Sequence, residues 1–107
     1  MTIVEQRKHE RVPVDIHVYW GWTDDCPFFD RIISLSEGGY FLRTERSAPR
    51  GRPVFIKFWL PEQKTLGGVV RYCLERWGFG VEFKRLSPEE TTALNALVEH
   101  YRGGSRQ

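Results

Sequence analysis

Two arginines near the start of the chain have a spacing that suits a phosphate-bearing ligand. Arg7 and Arg11 lie four positions apart in the basic stretch Arg7-Lys8-His9-Glu10-Arg11. Arginine forks onto phosphate oxygens and also stacks on nucleobases, so two arginines on one arm could close over a dianionic ligand. The stretch also fits a second interpretation, a solvated charged arm, because basic residues before a first strand are common.

A second group with possible binding chemistry is the segment Ser34-Leu35-Ser36-Glu37-Gly38-Gly39. A turn of this composition can present backbone N–H groups and hydroxyls to a polar ligand. It can equally form a hairpin whose serine side chains bond to their own backbone. Both interpretations predict a turn at this point of the chain.

The usual signatures of catalysis and metal binding are missing from the sequence. It contains no nucleophile elbow, zinc-protease helix, phosphate-binding P-loop or dinucleotide fingerprint. His9, His17 and His100 have no cysteine or serine at a motif spacing, and Cys26 and Cys73 form no CxxC pair. We therefore expect a protein that is not an enzyme and that has no catalytic residue, metal site or cofactor.

Length and composition indicate one globular domain in the cytoplasm. The chain has 107 residues, of which 40% are hydrophobic and 28% charged. No apolar run approaches the roughly 20 residues needed to span a bilayer, and the first residues lack the apolar core of a signal peptide. We expect no membrane insertion.

The charge pattern argues against a general nucleic-acid binder, because the net charge is only +2. Twelve of the 16 basic residues are nevertheless arginines, and aromatics make up 14% of the chain. A small barrel that binds RNA or single-stranded DNA therefore stays open as an alternative. The arginine cluster in segment 43–52 is interpreted as a solvated charged surface.

Period-two alternation predicts six strands, since apolar residues recur at every second position within short segments separated by turn residues. The segments are 12–22, 28–35, 40–44, 54–60, 66–75 and 79–83. In the fifth, Val70, Tyr72 and Leu74 are expected on one side, and 61–64 is expected to be a turn. Six such strands in a short chain favour antiparallel pairing, and closure into a barrel would hide their exposed edges.

A change of period near the C-terminus predicts a helix over 87–102. Ser87 and Glu90 form a capping box with proline between them, and apolar residues follow at helical spacing. The expected layout is a flexible basic arm at 1–11, a barrel at 12–86, this amphipathic helix, and a frayed tail at 103–107.

Three short blocks, in this order and spacing, resemble the PilZ domain family. They are Arg7-x-x-x-Arg11, Ser34-x-Ser36-x-x-Gly39 and Gly80-Val81-Glu82-Phe83. The resemblance covers nearly the whole chain and implies a mainly β, six-stranded antiparallel PilZ-like β-barrel with one C-terminal helix. It also implies binding of the bacterial second messenger cyclic di-GMP and relay of the signal to an unidentified protein partner, for example in motility or surface-organelle control.

The resemblance also implies which residues form the ligand site. They are Arg7, Lys8, Arg11, Ser34, Ser36, Gly38 and Gly39. The two arginines would contact phosphates and guanine, Ser36 would bond a phosphate or a base edge, and Gly39 would permit close backbone approach. The arm would fold over the ligand, which offsets part of the binding energy.

One position departs from the family pattern, because Ser34 stands where the family has Asp or Asn. A hydroxyl supplies one contact to the guanine edge where a carboxylate supplies two. Losing such a contact costs roughly 1–3 kcal/mol, or about 5- to 150-fold in affinity. The sequence leaves open whether Asp30 or Glu37 substitutes for the missing carboxylate.

This departure supports an alternative function, a degenerate PilZ adaptor that does not bind nucleotide and acts through protein contacts. Aromatic residues between the apolar strand positions are candidate anchors for such contacts. They are Tyr19, Phe55, Trp59 and Trp77. A core position for most of them is the competing interpretation.

Overall fold

The computed structural model describes residues 11–59 and 62–104, which form six strands and one helix. The elements are β1 (Val12–Gly21), β2 (Phe28–Leu35), β3 (Gly39–Arg43), β4 (Pro53–Trp59), β5 (Gln63–Leu74), β6 (Gly78–Phe83) and α1 (Pro88–Gly104). All neighbouring strands are antiparallel, and the order β1-β2-β3-β6-β5-β4 closes into a barrel through pairing of β4 with β1. The predicted fold class is confirmed.

The core follows from the alternation along the strands. In β1, Val18 and Trp20 are buried while the adjacent His17 and Tyr19 are exposed. The interior combines aliphatic side chains from every strand with two helix residues, Leu94 and Val98. The barrel is thus filled by its own side chains, and a polar ligand has to bind outside it.

Three register shifts interrupt this alternation. They lie in β1 between Pro13 and Ile16, in β2 between Ile32 and Ser34, and in β5 between Val70 and Tyr72. An extra residue on one strand of a pair turns the following side chains to the other face.

Because of the register shift in β5, the prediction of which side chains of this strand lie on the same side is wrong. Val70 is buried, but Tyr72 is 41% exposed and Leu74 50% exposed, whereas Cys73 packs against the core. The bulge reverses the faces after Val70, which a strict period of two cannot anticipate. The predicted turn at 61–64 is also shorter than expected, because β5 begins at Gln63.

The capping box at Ser87 forms as predicted. The Glu90 backbone N–H donates to Ser87 Oγ at 3.0 Å, and the Ser87 backbone N–H donates to Glu90 Oε1 at 2.9 Å. The helix includes Gly103 and Gly104, two residues beyond the predicted end, and residues 105–107 lie outside the described part. Within the described chain, no helix is long and apolar enough to cross a membrane.

The two ends of the barrel differ in what covers them. At the end that we call the arm end, β1 begins, β2 ends and β3 begins; at the loop end, β1 and β3 end and β4 begins. Because β3 and β4 are three places apart in a ring of six strands, segment 44–52 must cross the loop end to join them. Ala48, in that segment, is buried against the core.

Tyr40 differs from the other large core residues because it brings a hydroxyl group into the hydrophobic interior. The side chain is buried, and its hydroxyl has no hydrogen-bond partner among the described residues. Burial raises the pKa of this hydroxyl well above its ordinary value, so the group stays neutral. An unpaired buried hydroxyl costs about 1–3 kcal/mol.

We therefore predict that Tyr40→Phe stabilises the protein by roughly 1–2 kcal/mol, because the ring stays packed while the unpaired hydroxyl is removed. Urea unfolding measures the change. The matched control is Tyr19→Phe, on a side chain that is 45% exposed, which should change stability by less than about 0.5 kcal/mol. A loss of stability in Tyr40→Phe would show that the hydroxyl has a partner, such as an internal water.

Candidate functional site

The turn between β2 and β3 is built around the hydroxyl of Ser36. Its oxygen accepts the backbone N–H groups of Gly38 at 3.1 Å and Gly39 at 3.2 Å. The Ser36 backbone N–H donates to the Gly39 carbonyl at 2.8 Å, and the side chain is only 6% exposed. The hairpin interpretation of this segment is therefore right for Ser36, whose hydroxyl fixes the shape of the turn.

Gly39 is a glycine because β6 passes directly beside it. A Cβ atom at this position would lie 2.1 Å from the Val81 carbonyl oxygen, far inside contact distance. The neighbouring Gly38 carbonyl accepts the Phe83 backbone N–H at 2.9 Å, which ties the turn to β6. The backbone that approaches Gly39 closely is that of β6, and the expected approach of Gly39 to a ligand stays a prediction.

An open cleft of about 500 Å³ lies between this turn and strands β5 and β6 at the arm end. Its volume falls within the range of about 300–1,000 Å³ common for small-molecule sites. The lining residues are Arg11, Ser36, Glu37, Gly38, Gly39, Arg71, Tyr72, Gly80, Val81, Glu82, Phe83 and Leu86. Three glycines in this set leave parts of the lining without side chains.

Gly80 shows how the cleft obtains an aromatic surface. A Cβ atom on Gly80 would lie 2.5 Å from the Tyr72 ring, so the ring rests directly on the glycine backbone. Tyr72 faces outward because of the β5 bulge, and its ring lies 6.1 Å from that of Phe41. The cleft therefore has a half-exposed phenol ring against which a planar group could stack.

Charged side chains on β5, on β6 and directly after β6 form a small network at the cleft. The Arg71 guanidinium donates to the Glu82 carboxylate, and Lys84 Nζ lies 3.5 Å from the same carboxylate. The hydrogen bond from Arg71, with a smaller contribution from Lys84, holds the pKa of Glu82 below its usual value. Arg71 is half-exposed, so its remaining donors can reach an anion.

Arg11 joins the arm to the turn segment. Its Nη1 donates to Ser34 Oγ at 3.2 Å, although Ser34 is not among the residues that line the cleft. Asp30 cannot replace a carboxylate at position 34, because it lies toward the loop end and accepts the Trp20 indole N–H at 2.8 Å. Glu37 lines the cleft, so it is the better placed of the two candidates.

The structure brings most of the predicted site together. Arg11, Ser36, Gly38 and Gly39 line one cleft, with Ser34 one hydrogen bond away, while Arg7 and Lys8 lie outside the described residues. Sequence reasoning missed several further lining residues on β5 and β6, namely Arg71, Tyr72, Gly80 and Glu82. The position of Gly80-Val81-Glu82-Phe83 in the family pattern was the available signal, but it did not indicate a contact with β5.

The family model of the PilZ domain matches residues 5–100, which is most of the sequence. The chain belongs to the PilZ domain family. A comparison with curated proteins finds no match. Within the described residues, no group of three or more His, Cys, Asp or Glu side chains could hold a metal ion.

Several solved structures share this PilZ fold. The Bacillus subtilis inhibitor of motility MotI/DgrA superposes with a TM-score of 0.78 at 17% identity, covering 97% of this chain and 54% of that one. The structure of the K. pneumonia MrkH–c-di-GMP complex superposes with a TM-score of 0.76 at 12% identity, and the match covers 98% of this chain and 55% of MrkH. The PilZ domain of CeSA from a cellulose-synthesizing bacterium superposes with a TM-score of 0.67 at 19% identity, and the match covers 87% of this chain and 98% of that domain. This chain thus spans about half of MotI and MrkH, and these likenesses concern the fold.

The contact at Gly39 yields a prediction about stability. Gly39→Ala should destabilise the protein by about 1–3 kcal/mol or more, because β3 and β6 must separate to admit a methyl group. Urea unfolding measures the loss. The control is Gly103→Ala, a helical position with no atom within 4 Å of the added Cβ, which should keep or slightly raise stability. Equal stability of Gly39→Ala and the wild type would contradict the described contact between β3 and β6.

Proposed function

We propose that this PilZ domain is a receptor for cyclic di-GMP that binds the nucleotide in the cleft at the arm end. The observation that carries the proposal is that Arg11 and the Ser36–Gly39 turn, which are far apart in sequence, line the same open cleft. Family membership supports the proposal, as does the fact that MrkH, which shares the fold, forms a complex with c-di-GMP.

The lining of the cleft offers chemistry for each part of such a ligand. Arg11 and Arg71 supply forked donors for phosphate oxygens. The Tyr72 ring supplies a surface on which a guanine can stack, with the glycine backbone beneath it. Glu37 and Glu82 supply carboxylate oxygens that can accept hydrogen bonds from the N–H groups of a guanine edge.

Arg7 and Lys8 complete the proposed site from the arm. Arg7 precedes Arg11 by four residues, so an extended chain places its Cα within about 14 Å of that of Arg11. This reach is sufficient for the arm to fold over a ligand in the cleft. Two further positive charges would balance a dianionic ligand in a cleft that holds two arginines and two glutamates.

The expected affinity for cyclic di-GMP depends on Ser34. Its hydroxyl already accepts a hydrogen bond from Arg11, so it helps to place that arginine but offers less to guanine than a carboxylate would. We therefore expect binding that is weaker than Asp or Asn would give, by about 5- to 150-fold.

The same site argues for binding without catalysis. Among the described residues, no histidine or cysteine lines the cleft, and the Ser36 hydroxyl is held in the turn by two backbone N–H groups. A receptor of this kind would work in the cytoplasm and pass the signal to a protein partner, for example one that controls motility or a surface organelle. Of the solved relatives, MotI/DgrA is described as an inhibitor of motility.

Calorimetric titration with cyclic di-GMP tests the proposal. We expect the wild type to bind at micromolar affinity or tighter and the Arg7→Ala/Arg11→Ala variant to show no binding, because the forked phosphate donors are lost. Ser34→Asp should bind more tightly than the wild type. The matched control is Arg31→Ala, an exposed arginine paired with Asp15 away from the cleft, which should leave affinity unchanged.

Two outcomes would contradict the proposal in different ways. Unchanged affinity in the Arg7→Ala/Arg11→Ala variant would show that the nucleotide binds elsewhere. A silent wild type together with binding by Ser34→Asp would show that this one position has ended nucleotide binding, and would favour the degenerate adaptor. The presence of Ser34 is the observation that supports this second function.

A further inference from the structure

Segment 43–52, which comprises the last residue of β3 and the connection across the loop end, holds the positive charge excess of the molecule. It contains four arginines and one acidic residue, Glu45, for a net charge of +3. The whole chain carries +2, so the remaining residues sum to −1. In the described part of the chain, none of these four arginines forms an ion pair.

Three of the arginines lie over aromatic rings at the rim of the loop end. The pairs, with the distance from the guanidinium carbon to the ring centroid, are Arg43 over Trp77 (4.2 Å), Arg46 over Phe28 (3.6 Å) and Arg52 over Trp22 (4.3 Å). We call Arg43, Arg46 and Arg52 the arginine belt. A stacked guanidinium keeps donors at its edge available for an anion while its orientation is restricted.

The segment that carries the belt is held to the barrel along its length. The Thr44 backbone N–H donates to the Trp77 carbonyl at 3.3 Å, and the Gly51 backbone N–H donates to the Val70 carbonyl at 2.7 Å. Between these contacts, Ala48 is buried in the core. An anionic partner therefore meets guanidinium groups that have already lost much of their side-chain freedom, which reduces the entropy cost of binding.

We propose that the arginine belt is a docking surface for an acidic segment of a partner protein. Charge complementarity indicates the occupant, because the segment that carries the belt has the excess of positive charge and the belt arginines form no ion pair with any described residue. Arginine beside aromatic rings is also the composition typical of interface hot spots.

The aromatic rings of the belt favour carboxylates over a nucleic acid. Single-stranded nucleic acids bind by stacking bases on open aromatic faces. Here the Trp22 ring carries Arg52 and also stacks with Phe79, at 5.9 Å between centroids and 26° between planes. Docking at the belt goes beyond nucleotide binding and does not require it, since none of the three belt arginines lines the cleft.

The test is binding of a fluorescently labelled oligo-glutamate peptide at low salt, where surface charges are least screened. The Arg43→Gln/Arg46→Gln/Arg52→Gln variant should bind at least about fivefold more weakly than the wild type, because three charged contacts are lost. The matched control, Lys57→Gln/Lys64→Gln/Arg85→Gln, removes the same charge elsewhere and should bind about as the wild type does.

Two results overturn the proposal. The first is an equal loss of peptide affinity in the belt variant and in the control, which would show that net charge alone accounts for the binding. The second is tighter binding of oligothymidylate, or of phosphatidylserine vesicles, than of oligo-glutamate. If the belt variant does not fold, the arginine Nε–H signals of the wild-type protein provide the answer, because the peptide must shift those of Arg43, Arg46 and Arg52.

Discussion

At Gly39 the backbones of β3 and β6 approach so closely that no side chain fits between them. This contact sets the position of the β2–β3 turn, because Phe83 on β6 donates its N–H to the Gly38 carbonyl. The turn in turn depends on the Ser36 hydroxyl, which accepts two of its backbone N–H groups. The glycines and the serine of the family pattern therefore stabilise the turn and its contact with β6 in the absence of a ligand.

The bulges determine which polar and aromatic groups reach the outside of the filled barrel. The β5 bulge turns Tyr72 outward over Gly80, where it becomes part of the cleft. The β2 irregularity leaves both Ile32 and Leu35 buried, so that Ser34 between them is available to Arg11. Bulges commonly re-aim side chains beside functional sites, and here two of them re-aim side chains beside the cleft.

The sequence was sufficient for the strands, the helix and four of the twelve described residues that line the cleft. Period-two alternation predicted six strands, although β3 and β6 are buried at nearly every position, and the capping box located the start of α1 within the chain. The facing of Tyr72 and the role of Arg71 were not predictable from the same pattern. Both depend on an extra residue in β5 and on pairing with β6, which are long-range properties that local periodicity does not contain.

The barrel thus separates two kinds of surface. The arm end has a cleft lined with glycines and bordered by Arg11 and Arg71, and the loop end has the arginine belt fixed on aromatic rings. The most direct test of the central claim is a comparison of backbone NMR spectra with and without cyclic di-GMP. The account predicts the largest shifts at Gly38, Gly39 and Gly80; shifts confined to the loop end, or no shifts at all, would contradict it.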